Sequence, residues 1–492
     1  MLRRTLLSIL AASLLAPAEN KDQLDRIIEE TRRAFEVPGI AVAIVHNDAV
    51  IYAKGFGVKS LTTKAPVTTS TRFAIASTTK AFTTAAMGLL VDDGKMNWDD
   101  PVRKHVPFFR LSDPLANENV TMRDIVSHRT GLSRHDPLWY NSPWTREEII
   151  RKIGLVPLTR PFRSAYQYQN IMFLTAGYAV GLTSGKGWEG LVRERILDPL
   201  GMRNTDFSAH DAMKAPDAAT PYELRENKVT EVPWLIMDNL GPAGSMNSSV
   251  DDLSRWVRMQ LSEGVFEGKR IIKAATLKET HTPQMPIRMD DPNMRTVNDG
   301  THMMAYGLGW TIQDYRGHRM VSHGGAINGF RAQVALLPDE KYGIVILSNL
   351  GSINMVECLR TAIADHLLGL PDMNWNAKYL AVARTREEAS KQQLADRDAK
   401  RHKDTKPSRD LAAYSGAYQH PAYGEARLTT TSSGLELQWS NWNTPLEHFH
   451  FDTFRVSGGT TPLRDSLVQF QLSTTGEVQN VQFLDQTFRR KQ

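Results

Sequence analysis

The chain has 492 residues, 41% hydrophobic and 23% charged, a composition that excludes a mainly disordered or fibrous protein. That length exceeds one compact core and points to two or three domains. The net charge of +5 is carried by Arg3, Arg4 and the stretch Arg384–Asp410, so the rest is neutral and nothing points to nucleic acid. One cysteine, Cys358, excludes an internal disulfide and a cysteine-based zinc site.

In chain order, Arg3 and Arg4 precede the apolar run Thr5–Leu15, and Ala16-Pro17-Ala18 follows. This predicts a secretory leader over 1–18 and an exported protein, periplasmic or extracellular, with no stable membrane insertion once the leader is removed. Gln23–Phe35 has the spacing of an amphipathic helix. Gly39–His46 and Val50–Ala53 predict strands joined by a turn at Asn47-Asp48. Ser77–Asp93 reads as a helix with Ala81, Phe82, Ala85, Ala86, Leu89 and Leu90 on one stripe, stopped by Gly94. From about 100 to 300 the pattern is mostly helical, and Ser249, followed by Asp251 and Asp252, opens one such helix.

Strand character returns at Gly307–Gln313, Met320–Ser322, Phe330–Leu337 and Tyr342–Leu347, followed by a helix over Met355–Leu368. Fifteen of the 27 residues from Arg384 to Asp410 are charged, which predicts a linker or a solvated helix. Beyond it, Leu435, Leu437 and Trp439 alternate, as do Val468, Phe470 and Leu472, and Val481 and Phe483. The last 80 or so residues therefore predict a small barrel or half-barrel.

The sharpest chemical feature is Ser77-Thr78-Thr79-Lys80 at a helix start. Positions i and i+3 share a helix face, so the Lys80 amine can reach the Ser77 hydroxyl. A serine needs a base, and a lysine can supply one if burial lowers its pKa. The tetrapeptide alone is weak evidence, and taken by itself a capping serine and an exposed lysine explain it better. Tyr168-Gln169-Asn170 adds a tyrosine that can relay a proton and an amide that can orient lysine and substrate. His323-Gly324-Gly325, on what reads as an edge strand, would let backbone approach a bound acyl group.

Taken in order, Ser-x-x-Lys, Tyr-x-Asn and His-x-Gly resemble the serine β-lactamase and penicillin-binding-protein superfamily. The chain is most similar to its branch of class C β-lactamases, D-aminopeptidases, DD-carboxypeptidases and related esterases (peptidase family S12). Thr121–Leu132, Gly241–Trp256 and Gly307–Trp310 resemble further segments of that branch. The final residues, above all Pro421-Ala422-Tyr423-Gly424, look like the lipocalin-like β domain appended to some members.

The resemblance implies an α+β fold: an antiparallel sheet flanked by helices, an all-helical subdomain, then a small β barrel or half-barrel. With the leader and the charged stretch read above, the chain divides into a leader at 1–18, a hydrolase domain at 19–372, a charged linker at 373–410 and a β domain at 411–492. Ser77 would be the nucleophile, Lys80 its base and Tyr168 the second acid/base. Asn170, His323, Gly325 and Ala326 would hold substrate, with the Ser77 and Ala326 N–H groups as the oxyanion hole. No metal and no cofactor is implied.

The implied activity is hydrolysis of small esters, amides or D-amino-acid peptides through an acyl-enzyme on Ser77. The alternatives are a β-lactamase or DD-carboxypeptidase, and a non-catalytic binding or assembly protein. The partner expected is a small-molecule or short-peptide substrate, with self-association through the C-terminal domain left open. His323 replaces the lysine usual in the third motif; an imidazole of ordinary pKa near 6.5 is mostly neutral at pH 7, which weakens an anchor for a substrate carboxylate. Elsewhere, His128 reads as ordering a helix-end turn and His135-Asp136 as a surface loop. Met285, Met289, Met294, Met303 and Met304 mark either a lid or a flexible surface loop.

Overall fold

The computed structural model describes residues 17–226, 228–351, 355–458 and 462–491, with side chains from residue 21. Of the expected leader, residues 1–16 lie outside the described residues, while Pro17 and Ala18 open helix α1, Pro17–Ala34.

An eight-stranded sheet forms the first layer. Its strands are β1 (Gly39–His46), β2 (Ala49–Gly57), β3 (Met285–Pro286), β4 (Met304–Tyr306), β5 (Thr311–Tyr315), β6 (His318–Ile327), β7 (Phe330–Leu337) and β8 (Tyr342–Ser348). Their order is β2-β1-β8-β7-β6-β5-β4-β3, with every pairing antiparallel. The apolar run of β1 reflects burial on both faces. Ile40, Val42 and Ile44 enter a core with α1 and with the helix Met355–Leu368. Ala41, Ala43 and Val45 enter the larger core on the other side.

At the centre of that larger core lies helix α2, Thr79–Asp92. The sequence predicts a single apolar stripe, yet every residue from Thr79 to Leu90 is buried, Lys80, Thr83 and Thr84 included. The helix is enclosed between the sheet and a helical lobe that contains α3 (Arg146–Ile153) and α4 (Asn170–Ser184). Ser249 caps α5, Val250–Leu261, by accepting from the Asp252 N–H, as its spacing predicts.

The charged stretch is the solvated helix of the two expected alternatives over its first part, whereas the linker over 373–410 begins as buried helix. Helix α6, Trp375–Ala399, opens with Trp375, Tyr379 and Val382 buried. The Trp375 indole donates to Asp365 at 2.6 Å. Further on, Arg401 donates to the Phe449 and His448 carbonyls, and Ser408 to Asp452. The segment is charged because residues 384–396 are exposed all round, while its two ends are tied to the bodies on either side. The methionine-rich stretch also packs on α6: Tyr379 donates to the Val297 carbonyl at 3.2 Å, and Lys378 pairs with Asp299 at 2.7 Å.

The C-terminal unit is a closed barrel of eight strands. They are β9 (Gly416–His420), β10 (Gly424–Thr431), β11 (Gly434–Trp439), β12 (Trp442–His450), β13 (Thr453–Val456), β14 (Leu467–Leu472), β15 (Val478–Phe483) and β16 (Gln486–Arg490). Leu435, Leu437, Trp439, Val468, Phe470, Val481 and Phe483 are buried, in keeping with their alternation. Closure against β16 leaves the barrel no open edge.

Candidate active site

Ser77 sits in a single 3-10 turn, Ala76–Thr78, that runs directly into α2. The turn is held from below: the Ile75 N–H donates to the Met246 carbonyl at 3.0 Å, and Phe73–Ala74 pairs with Asn247–Ser248. Ala76, just before the serine, has φ +45°, a strained backbone for a residue with a Cβ. Three residues on, Lys80 is fully buried. Its Nζ lies 3.0 Å from Ser77 Oγ, 2.8 Å from Asn170 Oδ1 and 2.8 Å from the Ala243 carbonyl oxygen.

Burial, reinforced by the Arg134 charge and opposed by Asp136, pushes the Lys80 amine well below the ordinary lysine range. A neutral amine has two N–H groups and one lone pair. The two acceptors, Asn170 and Ala243, take the N–H groups, and the lone pair is left for the Ser77 O–H. Lys80 also lies 4.9 Å from the centre of the Tyr168 ring. Burial pushes the Tyr168 phenol up, opposed by a hydrogen bond with Ser77, so it keeps its proton at neutral pH.

Tyr168 and Asn170 are set by the turn at His128. That residue is buried, with φ +57°; its Nδ1 accepts from the Gln169 N–H at 3.0 Å and its carbonyl from the Gln167 N–H at 2.8 Å. His128 therefore orders the Tyr-x-Asn segment as well as its own turn. Asn170 opens α4, where the Gln169 side chain caps the Ile171 N–H.

His323, Gly325 and Ala326 lie on β6, which is an interior strand of the sheet rather than the expected edge. β5 pairs only with His318–Ser322, so His323–Ile327 keeps β7 on one side and is open toward the site on the other. Gly325 is there because a Cβ at that position would stand 2.1 Å from the Ile75 carbonyl oxygen. His323 Nδ1 lies 2.7 Å from the Gly324 carbonyl, which only accepts, so Nε2 accepts from the Tyr306 hydroxyl at 2.9 Å. Burial, with Lys80 adding to it, holds His323 down to about 3, so the ring is neutral.

These residues surround one cavity of about 480 Å³, lined by Ser77, Tyr168, Asn170, His323, Gly325 and Ala326 among others. Lys80 lies beneath its floor. None of the five methionines of the 285–304 stretch lines it; that stretch packs on α6 instead.

Comparison with known proteins gives the family. The beta-lactamase profile matches residues 24–368, and a domain of unknown function (DUF3471) matches 400–492. The chain belongs to the beta-lactamase family. An unguisins hydrolase of Aspergillus violaceofuscus (strain CBS 115571) is 29% identical over 460 residues, covering 86% of this chain and 79% of that protein. The octameric penicillin-binding protein homologue from Pyrococcus abyssi shares the fold at a TM-score of 0.63, with 21% identity, over 95% of this chain and 99% of its own. The D-amino acid amidase of Ochrobactrum anthropi SV3 does so at 0.59, with 20% identity, over 75% of this chain and 99% of its own.

Within this beta-lactamase fold the cavity has walls that motif reading missed. The His135-Asp136 stretch, expected at the surface, is one of them. Asp136 Oδ1 accepts from Asn170 Nδ2 at 3.0 Å and from the Trp139 indole at 2.7 Å, and Arg134 donates to Oδ2 at 2.6 Å. The Arg134 guanidinium lies over the Tyr168 ring at 5.1 Å. No short spacing links Asp136 to Asn170 along the chain; the available signal was the cluster of charged and aromatic residues from Arg134 to Tyr140. The Ala243 carbonyl left no side-chain signal at all.

Proposed function

We propose that the chain hydrolyses small esters, amides or short D-amino-acid peptides through an acyl-enzyme on Ser77. The observation that carries this reading is the buried Lys80, 3.0 Å from Ser77 Oγ with both of its neutral-form N–H groups already accepted. Ser77 Oγ attacks the carbonyl carbon while its proton passes to Lys80 Nζ. The tetrahedral oxyanion falls to the N–H groups of Ser77 and Ala326. Its collapse expels the leaving group, which takes a proton relayed through Tyr168. Water then attacks the ester on Ser77, losing its proton to the same base, and the acid product leaves with Ser77 restored.

The neutral His323 supports uncharged substrates, since it offers no cation to a carboxylate. Arg134 favours the second reading, a β-lactamase or DD-carboxypeptidase, because its guanidinium lines the same cavity. Turnover of p-nitrophenyl esters and D-amino-acid anilides, set beside turnover of nitrocefin, tests both. Faster nitrocefin hydrolysis would overturn the first reading, and loss of all three would overturn hydrolysis itself. The basic and apolar N-terminal run supports export, which N-terminal sequencing of the mature protein checks.

A further inference from the structure

The cavity wall from Arg134 to Tyr140 has little regular structure of its own, a three-residue turn at Asp136–Leu138. Its conformation has to be held from outside. Arg134, Asp136, Trp139 and Tyr140 face the cavity. His135, between two of them, has φ +47°, a costly conformation for a residue with a Cβ. Its ring meets the barrel: Nδ1 lies 2.8 Å from the Tyr423 hydroxyl, and Nε2 lies 3.1 Å from Ser133 Oγ.

Tyr423 is well fixed for such a contact. It is buried in the turn between β9 and β10, where His420 Nδ1 accepts from the N–H groups of Ala422 and Tyr423 at 3.1 and 3.0 Å. Its carbonyl accepts from the Trp439 indole at 2.9 Å. Other contacts flank it along the same stretch. Lys152 donates to the Ala422 carbonyl at 3.2 Å, and Ser440 to the Asn141 carbonyl at 3.3 Å. The Trp442 ring lies parallel to Tyr140, 6.2 Å away. One end of the barrel thus backs the outer side of the wall whose inner side lines the cavity.

We propose that Tyr423 is a positioning residue for the active site, acting through His135, and that the barrel is the outer support of the substrate-binding wall. Resting on the serine-hydrolase reading, this links the barrel to the base: Tyr423 holds His135, the adjoining Asp136 holds Asn170, and Asn170 accepts from Lys80. The chemical groups keep a second set of anchors in Ala243 and the turn under Ser77; the wall is tied within the hydrolase domain too, Asn328 donating to the Tyr140 hydroxyl at 2.6 Å and Asn239 to the Trp139 carbonyl at 3.0 Å, but the ring of His135 is met by the barrel. Loss of the Tyr423 hydroxyl therefore acts on substrate binding more than on the chemical step.

The test is a double-mutant cycle in kcat/KM with Tyr423→Phe and His135→Ala, in the full-length chain with thermal unfolding measured in parallel. Tyr423→Phe lowers kcat/KM about three- to tenfold, the worth of one hydrogen bond, mainly through KM. The double variant is no worse than His135→Ala, and Tyr418→Phe, a barrel hydroxyl bonded within its own domain to the Tyr414 carbonyl, changes nothing in KM. Additive effects, or an unchanged KM in Tyr423→Phe, would overturn the positioning role while leaving the hydrolase standing. A wild-type chain that turns over no ester, amide or β-lactam would instead remove the reading beneath it, and this inference with it.

Discussion

The Ala243 carbonyl accepts from Lys80 Nζ at 2.8 Å, from a chain segment more than 160 residues downstream of the lysine. With Asn170 it uses the two N–H groups of a neutral amine, and it fixes the lone pair on Ser77. Replacing Lys80 by Met keeps the volume and removes that lone pair. We expect kcat/KM to fall by about 10³-fold or more, with the fold intact by circular dichroism. A variant retaining more than a tenth of wild-type activity would refute the base assignment.

The same burial makes stability depend on pH. Lys80 has a folded-state pKa far below its ordinary 10.5. Between those values the unfolded chain binds more protons at this site, so folding gains stability as pH rises toward 10.5 and loses it as pH falls. Lys80→Met has no such proton to release. The Tm difference, variant minus wild type, therefore moves to lower values as pH is raised from 7 to 10, and a constant difference would contradict a depressed lysine.

Arg134 adds to the depression of Lys80 after burial, while Asp136 opposes it. Arg134→Gln removes the cation and leaves the anion, so the Lys80 pKa rises. The acid limb of kcat/KM against pH then moves to higher pH. A limb that stays put would show that Arg134 is too screened to matter, and one that moves down would contradict the sign of its effect.

Gly325 brings β6 against the turn beneath the nucleophile, and a Cβ there meets the Ile75 carbonyl oxygen at 2.1 Å. Gly325→Ala forces the strand and the turn apart, at a cost of about 1–3 kcal/mol in stability. Misplacing the acyl-binding strand also lowers kcat by about 10²-fold. Urea unfolding together with steady-state kinetics checks both, and an alanine tolerated in both would mean that the strand does not seat the acyl group.

Much of this arrangement is legible in the chain where it is local or periodic. Ser77 and Lys80 are one helical turn apart, the alternation of Leu435, Leu437 and Trp439 follows the barrel wall, and the cap at Ser249 forms as its acids suggest. The strand of His323 was misplaced at an edge because pairing order depends on β5, a strand too short to betray its partner's length. Asp136 and Tyr423 were not legible because nothing in sequence separation brings residue 135 beside residue 423; the barrel does so by docking. The charge of Arg384–Asp410 marks the solvated run of α6 and gives no sign of the buried Trp375 and Tyr379 that begin the same helix.

Everything proposed for this site depends on Ser77 carrying the acyl group. Incubation with a fluorophosphonate, followed by intact-mass and peptide mass spectrometry, tests it most directly. One adduct per chain is expected, on the peptide containing Ser77, and none in a folded Ser77→Ala variant. An adduct on another residue, or equal labelling of Ser77→Ala, would contradict it.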